Sequence, residues 1–219
     1  MAIPRGELCE RYEALYPGAI ADSLDELGYE HQVLPTEVNP LAQDMRVAGI
    51  AYPVLGRRDE GVEYEANIRR ILEMLGEAPE HSVMITQSRD EVAAHLGELS
   101  TTALAEQGCR GAVIDGGIRD VRYILDQDFP VFARYRTPAD APPRWRLVDW
   151  DVPIRVGDVE VRPGDVVVGD VDGVVCVPRA VAETVLEAAE QTVEAENDVR
   201  EAVGDGVDPV EAYDRYGKF

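Results

Sequence analysis

Lysine is almost absent from the sequence. The single lysine, Lys218, lies one residue from the C-terminus, and the other 20 basic residues are arginines. Schiff-base catalysis needs a lysine amine held in a desolvated pocket, whereas a lysine this close to the chain end is expected to be a solvated tail residue. The composition therefore argues against a lysine-based mechanism.

Positive charge is scarce as well. The 219 residues include 21 Lys and Arg against 43 Asp and Glu, which gives a formal net charge of −22. Nucleic acid and anionic membranes repel a surface of this charge, so we expect no nucleic-acid partner and no membrane partner. The excess of acid over base is typical of a salt-adapted or GC-rich proteome.

Aromatic residues are sparse, and the sequence has no cysteine motif and no long apolar run. Aromatic residues make up 6% of a chain that is 45% hydrophobic, so the predicted core is mostly Val, Ala, Leu and Ile. Three cysteines that lie far apart imply no disulfide framework. No run approaches the roughly 20 apolar residues of a membrane span, and no signal-peptide pattern is present at the N-terminus, so a cytoplasmic location is expected.

Glycine and proline divide the first two thirds of the chain into alternating helices and strands. The expected helices are 8–27 (two short helices broken at Pro17-Gly18), 64–75, 100–107 and 119–126. The expected strands are 45–55 (ending at Gly56), 82–86, 111–115 and 129–133. Gly116-Gly117 is expected to turn the chain from a strand into a helix, and the alternation indicates parallel βαβ units.

The last third of the sequence has a different pattern. Short Val-rich segments separated by turn signals predict antiparallel hairpins over 154–177. A long helix is expected from Arg179 to about 203, and a short helix is expected after Asp208-Pro209. We therefore predict one mixed α/β domain over 1–219, with a core over 8–178 and a C-terminal helical extension over 179–219.

Two glycine-led segments carry the residues best suited to chemistry. These segments are 97–100 (Gly-Glu-Leu-Ser) and 116–120 (Gly-Gly-Ile-Arg-Asp), and each lies where a loop enters a predicted helix. Unpaired backbone N–H groups at helix starts bind anions, so the N–H groups of Leu99 and Ser100 are candidates for holding a carboxylate. Arg119 can form a two-point contact with a carboxylate, and Asp120 is a hard oxygen ligand suited to Mg²⁺ or Mn²⁺.

A purely structural interpretation accounts for the same pair. Helix starts commonly carry Asp because its side chain caps free N–H groups. In that interpretation Asp120 is a helix cap and Arg119 is its solvated partner, and the residues alone leave both interpretations open.

The central segment 97–134 resembles the RraA-like family. That family includes the class II 4-hydroxy-4-methyl-2-oxoglutarate/4-carboxy-4-hydroxy-2-oxoadipate aldolases and the regulator of ribonuclease activity A. The resemblance extends to 21–24 (Ala-Asp-Ser-Leu), 163–175 and Tyr216-Gly217, and it covers residues 8–217. It implies a three-layer β/β/α swivelling α/β fold that assembles as a homotrimer or homohexamer.

The resemblance also implies roles for individual residues. The family's aldolases carry an acidic residue, twenty intervening residues and then Arg-Asp, which Glu98 and Arg119-Asp120 satisfy, although the characterised aldolases usually have Asp at the first position. Asp120 would bind Mg²⁺ (or Mn²⁺), Arg119 would bind the pyruvyl portion and its developing enolate, and Glu98 would hold water at the metal. The backbone N–H groups of Leu99 and Ser100 would hold the pyruvate carboxylate.

The remaining site residues are implied by the same resemblance. Gly97 begins the loop that binds substrate, and Asn67 corresponds to a family asparagine on the preceding helix. A glutamate of the neighbouring subunit, Glu196 or alternatively Glu194, would complete the site.

The function implied is a divalent-metal-dependent class II pyruvate aldolase that cleaves 4-hydroxy-4-methyl-2-oxoglutarate-type 2-oxo acids. Oxaloacetate decarboxylase activity is expected beside it, because loss of CO₂ from oxaloacetate gives the same enolate. An aldolase without a usable lysine needs a metal as its electron sink. The alternatives are a non-enzymatic protein regulator of ribonuclease E and a related lyase with a different 2-oxo acid.

Overall fold

Parallel strands form the centre of the fold. In the computed structural model, which describes residues 3–217, nine strands join in one sheet and two more pair as a hairpin. The strands are β1 Asn39–Pro40, β2 Val47–Arg58, β3 Ser82–Gln87, β4 Ala94–Leu96, β5 Gly111–Ile118, β6 Val131–Arg136, β7 Trp145–Trp150, β8 Ile154–Val156, β9 Val159–Val161, β10 Val166–Asp170 and β11 Gly173–Val177. The helices are α1 Arg5–Glu13, α2 Pro17–Glu26, α3 Tyr64–Gly76, α4 Glu98–Glu106, α5 Val121–Asp126, α6 Ala182–Gly204 (after a 3₁₀ turn at Arg179–Val181) and α7 Pro209–Tyr216.

The large sheet is nearly closed. Its strands run in the order β1-β6-β5-β3-β2-β10-β11, with β4 beside β5 and β7 beside β2. The pairings among β6, β5, β3 and β2 are parallel, and those of β1, β7, β10 and β11 are antiparallel. The segment before β1 spans the two edges, because Leu34 N–H donates to Val174 O of β11 at 2.8 Å and β1 then pairs with β6.

Both faces of the sheet are covered by apolar groups. All six residues of β3 are buried, as expected for a parallel strand with packing on each side. One cluster joins the sheet to α3, α4 and α5 and includes Met84 and Ile124. A second cluster joins it to α1, α2 and α6 and includes Leu24 and Leu186, while the β8–β9 hairpin covers a third cluster around Phe132.

The predicted mixed α/β fold is confirmed, with helices near both ends of the chain and a long helix α6. The predicted break between the first two helices is confirmed, because α2 begins at Pro17. Glycines also mark other helix ends: α3 ends at Gly76, and Gly108 and Gly217 follow α4 and α7 with φ of 79° and 72°. No helix in the described part of the chain has the length and apolarity needed to cross a membrane. Lys218 lies outside the described residues.

The sequence predicts that Gly56 and the pair Gly116-Gly117 end strands, but they lie inside strands. Strand β2 continues through Gly56 to Arg58, and β5 continues through Gly116 and Gly117 to Ile118, so that α5 begins at Val121. A Cβ atom at Gly56 would lie 1.8 Å from Cζ2 of Trp145, and one at Gly116 would lie 2.6 Å from Nδ1 of His95. These glycines leave room for large side chains and do not turn the chain.

Strand β7 has no counterpart among the predicted strands. It pairs antiparallel with the end of β2, with a shift in register between Leu55 and Gly56. The shift places the Trp145 ring against Gly56, so the missing side chain and the bulge belong to one packing arrangement.

We predict that Gly56→Ala destabilises the protein by about 2 kcal/mol or more, because the new methyl group overpacks the Trp145 site. Gly76→Ala is the matched control. It places a methyl group at a helix end where no atom lies within 4 Å, and alanine is favoured there by up to about 1 kcal/mol. Urea unfolding checks both variants, and equal midpoints for wild type and Gly56→Ala would contradict this packing.

Candidate active site

Arg119 and Asp120 follow β5 directly, at the carboxyl end of a parallel strand, where α/β sheets commonly bind ligands. Asp120 has φ of 58° and ψ of 29°, a left-handed conformation that Asp tolerates better than most residues. Its backbone oxygen accepts from Tyr123 N–H at 2.9 Å, but its side chain makes no capping hydrogen bond to α5. The carboxylate therefore does not cap α5.

The Asp120 carboxylate faces the start of α4 instead. Glu98 N–H donates to Asp120 Oδ2 at 3.4 Å. A Cβ atom at Gly97 would lie 2.7 Å from Asp120 Oδ2 and 3.3 Å from Arg119 Cγ. Any larger residue at position 97 would displace the Asp120 carboxylate from its present position.

Arg119 lies between two carboxylates. Its Nη1 is 3.0 Å from Asp140 Oδ1, and its Nε is 3.6 Å from Asp120 Oδ2. The side chains of Arg119 and Asp120 are 39% and 43% exposed. They line a cavity of about 390 Å³ together with Arg136, so a small anion and a cation can both reach the pair from solvent.

The backbone donors beside this cavity differ from one another. Leu99 N–H has no hydrogen-bond partner among the described residues, and the Leu99 side chain is 80% exposed. Ser100 N–H donates to Gly97 O at 3.1 Å. Of the two predicted carboxylate-binding amides, Leu99 is therefore the one that offers a free donor.

Glu98 is close to the pair through its backbone, but its carboxylate points elsewhere. Oε1 accepts from Thr102 Oγ1 and from Gln127 Nε2, both at 3.2 Å. Within the described residues, its carboxylate makes no bond to Arg119 or Asp120. The predicted role of Glu98 at the metal stays a prediction.

Asn67 is buried on α3, and its amide is fully engaged. Nδ2 donates to Trp145 O at 2.7 Å and to Pro142 O at 3.2 Å, while Oδ1 accepts from Leu147 N–H at 3.1 Å. These hydrogen bonds hold the segment that leads into β7 against α3. The structure does not bring the Asn67 amide to Arg119 or Asp120, and its predicted contact with substrate stays a prediction.

Glu196 lies on α6 beside α2, in a groove that also contains Tyr16, Asp22 and Arg200. This groove shares no residue with the cavity at Arg119. Within one chain, Glu196 is thus not assembled with the other candidate residues, and a role in catalysis requires a second subunit.

Comparison with known proteins decides the family. The family model described as RraA-like, "Aldolase/RraA", matches residues 18–176. The chain belongs to the RraA-like family. The resemblance seen in the central motif is thereby confirmed over most of the chain.

Individual RraA-like relatives support this assignment. A protein of Halalkalibacterium halodurans, provisionally named a 4-hydroxy-4-methyl-2-oxoglutarate aldolase, is 33% identical over 89% of this chain and 87% of its own length. DlpA of Legionella pneumophila is 29% identical over 52% of this chain, and the match spans about a fifth (18%) of that longer protein.

Two solved structures have the same fold. One, described among novel cellulases from gut-associated microbes, is 36% identical, with a TM-score of 0.85 over 90% of this chain and 88% of its own. RraAS2 of Streptomyces coelicolor, described as an unusual member of the RNase ES inhibitor RraA family, is 26% identical, with a TM-score of 0.81 over 91% of this chain and 99% of its own.

A single carboxylate is the candidate metal donor at this site. Among the described residues, no three His, Cys, Asp or Glu side chains converge as a metal-binding group. Asp120 Oδ1, however, makes no hydrogen bond with the described residues, and Oδ2 has only long contacts. Mg²⁺ keeps several waters and uses one or two protein carboxylates, so this donor fits Mg²⁺ and not a structural zinc ion.

Three residues near the site have no recognisable signal in the sequence. Asp140 and Arg136 reach Arg119 and its cavity from a Pro-rich loop and from β6. His95 is buried behind β5, with Nε2 at 3.2 Å from Asp90 Oδ2 and its ring centroid 5.0 Å from that of Trp145. Burial lowers the pKa of His95 from 6.5 to about 4.

We predict that the buried His95 makes stability fall as the pH falls from about 6.5 to 4. Above this window the imidazole is neutral in both states, whereas within it only the unfolded chain takes up the proton. The free energy of unfolding should lose on the order of 3 kcal/mol from this group. Urea unfolding across this pH range should show a shallower pH dependence for His95→Gln than for wild type.

The matched control is His31→Gln, because His31 is exposed. Its pH dependence should follow that of wild type. An unchanged slope in His95→Gln would contradict the assignment, whatever the absolute stability of that variant.

Proposed function

We propose that this RraA-like chain is a lyase, a divalent-metal-dependent class II pyruvate aldolase. Its substrates would be 4-hydroxy-4-methyl-2-oxoglutarate-type 2-oxo acids, and oxaloacetate would be decarboxylated at the same site. The observation that supports this most directly is the grouping of the Arg119 guanidinium, the incompletely bonded Asp120 carboxylate and the free Leu99 N–H. The provisional name of the H. halodurans relative agrees with it.

Different residues of the chain bind the substrate and stabilise the charge that develops on it. Mg²⁺ or Mn²⁺ at Asp120 would supply an electrophile for the 2-oxo acid. Leu99 N–H donates to the substrate carboxylate at the start of α4, where the helix dipole favours an anion. Arg119 donates to the 2-oxo oxygen and stabilises the negative charge that grows there as the C3–C4 bond breaks.

The same charge develops in both reactions. Cleavage of 4-hydroxy-4-methyl-2-oxoglutarate releases pyruvate, takes a proton from the 4-hydroxyl group and leaves the enolate of a second pyruvate. Loss of CO₂ from oxaloacetate leaves that enolate as well, and a proton at C3 completes each reaction. After its hydrogen bond with Gln127 breaks, the Glu98 carboxylate would orient the water that carries the proton. Gly97 keeps the start of α4 close to Arg119 and Asp120.

We predict that Asp120→Asn lowers kcat/KM for pyruvate release by about 10³-fold or more, and that a chelator does the same to wild type. Arg119→Gln should cost about 3–4 kcal/mol in transition-state stabilisation, the scale of a lost oxyanion donor. Pyruvate formation from 4-hydroxy-4-methyl-2-oxoglutarate and from oxaloacetate is the measurement.

Asp126→Asn is the matched control for this assay, since Asp126 is an exposed acid on α5 and should leave turnover unchanged. Absence of metal-dependent turnover of either substrate would overturn the aldolase proposal. If it were accompanied by salt-sensitive binding to ribonuclease E, the result would favour the regulator alternative, in which an acidic surface meets a basic partner.

We further propose that the active unit is a homotrimer or homohexamer in which Glu196 of one subunit completes the site of the next. The support is that Glu196 lies apart from Arg119 and Asp120 within a single chain. We predict that Asp120→Asn and Glu196→Gln subunits are each inactive alone, whereas their mixed assemblies regain activity. Random mixing in equal amounts restores about one quarter of the sites, because each site combines two neighbours.

Asp198→Asn on the same helix is the control and should need no complementation. Native mass spectrometry gives the size of each assembly. A monomeric active protein, or mixtures no more active than their parents, would contradict the shared site.

A further inference from the structure

A second concave surface of the molecule has a lining different from that of the Arg119 cavity. It is a groove of about 630 Å³ between the end of β2, the first turns of α3, the loop after β3 and strand β7. We call it the arginine groove after Arg57, Arg70, Arg89 and Arg146, which line it. It shares no residue with the cavity at Arg119.

The charge of the arginine groove is opposite to that of the chain. Four arginines and only one acid, Glu63, line it, although the whole protein carries −22. Moreover, the Glu63 carboxylate is already occupied, because it accepts from the N–H groups of Glu65 at 3.1 Å and Ala66 at 2.7 Å. The lining therefore contains more basic than acidic side chains, although Arg146 is paired with Asp59.

Two of these guanidinium groups are held in place by the protein. Arg146 Nε donates to Asp59 Oδ2 at 2.6 Å. Arg70 Nη2 donates to Val148 O at 3.0 Å, and its guanidinium carbon lies 5.0 Å from the centre of the Trp150 ring. These contacts fix two positive groups at the groove wall.

The other two guanidinium groups have free donors. The side chains of Arg57 and Arg89 form no hydrogen bond and no ion pair within 4.0 Å with the described residues. The hydrogen bond from Arg146 lowers the pKa of Asp59, and the charge of Arg57 helps to lower it further. The chain has about twice as many acids as bases, so carboxylate partners are abundant elsewhere on its surface. Ten N–H donors, five on each guanidinium, are therefore available to a ligand.

Between the arginines the groove is apolar. Leu55, Leu147 and Val148 contribute to its lining. A volume of about 630 Å³ lies in the range of small-molecule sites, which combine apolar walls with a few charged groups.

We propose that the arginine groove binds a small organic anion. Its carboxylate or phosphate group would be held by Arg57 and Arg89 through charge-assisted, two-point hydrogen bonds, and its apolar body would lie on Leu55, Leu147 and Val148. Its lining shares no residue with the cavity at Arg119, but it includes Asn67, the predicted substrate contact, and the proposal does not rest on the proposed function.

The stacking of Arg70 on Trp150 offers a direct readout. Phenyl phosphate, benzoate and inorganic phosphate serve as probes, and Trp150 fluorescence and isothermal titration calorimetry report binding. We expect saturable binding of at least one aromatic anion, tighter than that of inorganic phosphate because of the apolar wall. The stronger of the two aromatic anions identifies phosphate or carboxylate as the natural charged group.

The Arg57→Gln/Arg89→Gln double variant should weaken this binding about tenfold or more, because it removes both guanidinium groups that would bind the anion. Neither substitution breaks a side-chain hydrogen bond among the described residues. Arg69→Gln on α3 is the matched control, because Arg69 is exposed and lies outside the groove lining. Trp150→Phe should remove the fluorescence change while the calorimetric signal persists.

Three results would overturn the proposal. The first is no saturable binding of either aromatic anion up to millimolar concentration. The second is an equal loss of affinity for the aromatic anions in Arg69→Gln and in the double variant, which would indicate diffuse electrostatic attraction. The third is a change in the mass of the assembly in the double variant without any effect of the probes, which would assign the groove to a second copy of the chain.

Discussion

The parallel pairing of β4 with β5 is the interaction on which the candidate site depends. Ala94 pairs with Gly117 and Leu96 pairs with Ile118, and the ladder closes with Arg119 N–H donating to Leu96 O at 3.0 Å. Both strands therefore end at the same edge of the sheet, one at Gly97 and the other at Arg119. Because Gly97 has no Cβ, the first turn of α4 lies directly against Arg119 and Asp120. A free amide, a guanidinium and a carboxylate are brought together without any long-range motion.

The parts of this arrangement that depend on local signals can be read from the sequence. Glycine and proline mark the ends of α2, α3, α4 and α7, and the spacing from Glu98 to Arg119-Asp120 identifies the two helix starts that meet. Long-range packing leaves no such signal. Gly56 and Gly116 look like turns in the sequence, but they make room for Trp145 and His95, which are distant along the chain. Asp140 likewise reaches Arg119 from a loop that has no regular pattern.

Electrostatics act on two scales in this protein. The net charge of −22 describes the surface as a whole, but arginines gather at two places where we propose that anions bind. At the candidate active site, Arg119 is balanced by Asp120 and Asp140, so a divalent cation and an anionic substrate can enter together. In the arginine groove, Arg146 is paired with Asp59, and the proposed anion would be held by Arg57 and Arg89. The near absence of lysine fits this division, because the chemistry proposed at Arg119 uses a metal and a guanidinium and needs no amine.

The central claim is that Arg119 and Asp120 stabilise the enolate of pyruvate, and hydrogen exchange tests it most directly. Proton NMR follows the methyl signal of pyruvate in D₂O with the protein and Mg²⁺. The account predicts that wild-type protein exchanges the methyl protons for deuterium far faster than buffer, and that chelator, Asp120→Asn and Arg119→Gln each abolish the exchange. Exchange no faster than in buffer, or exchange that persists in Asp120→Asn, would contradict it.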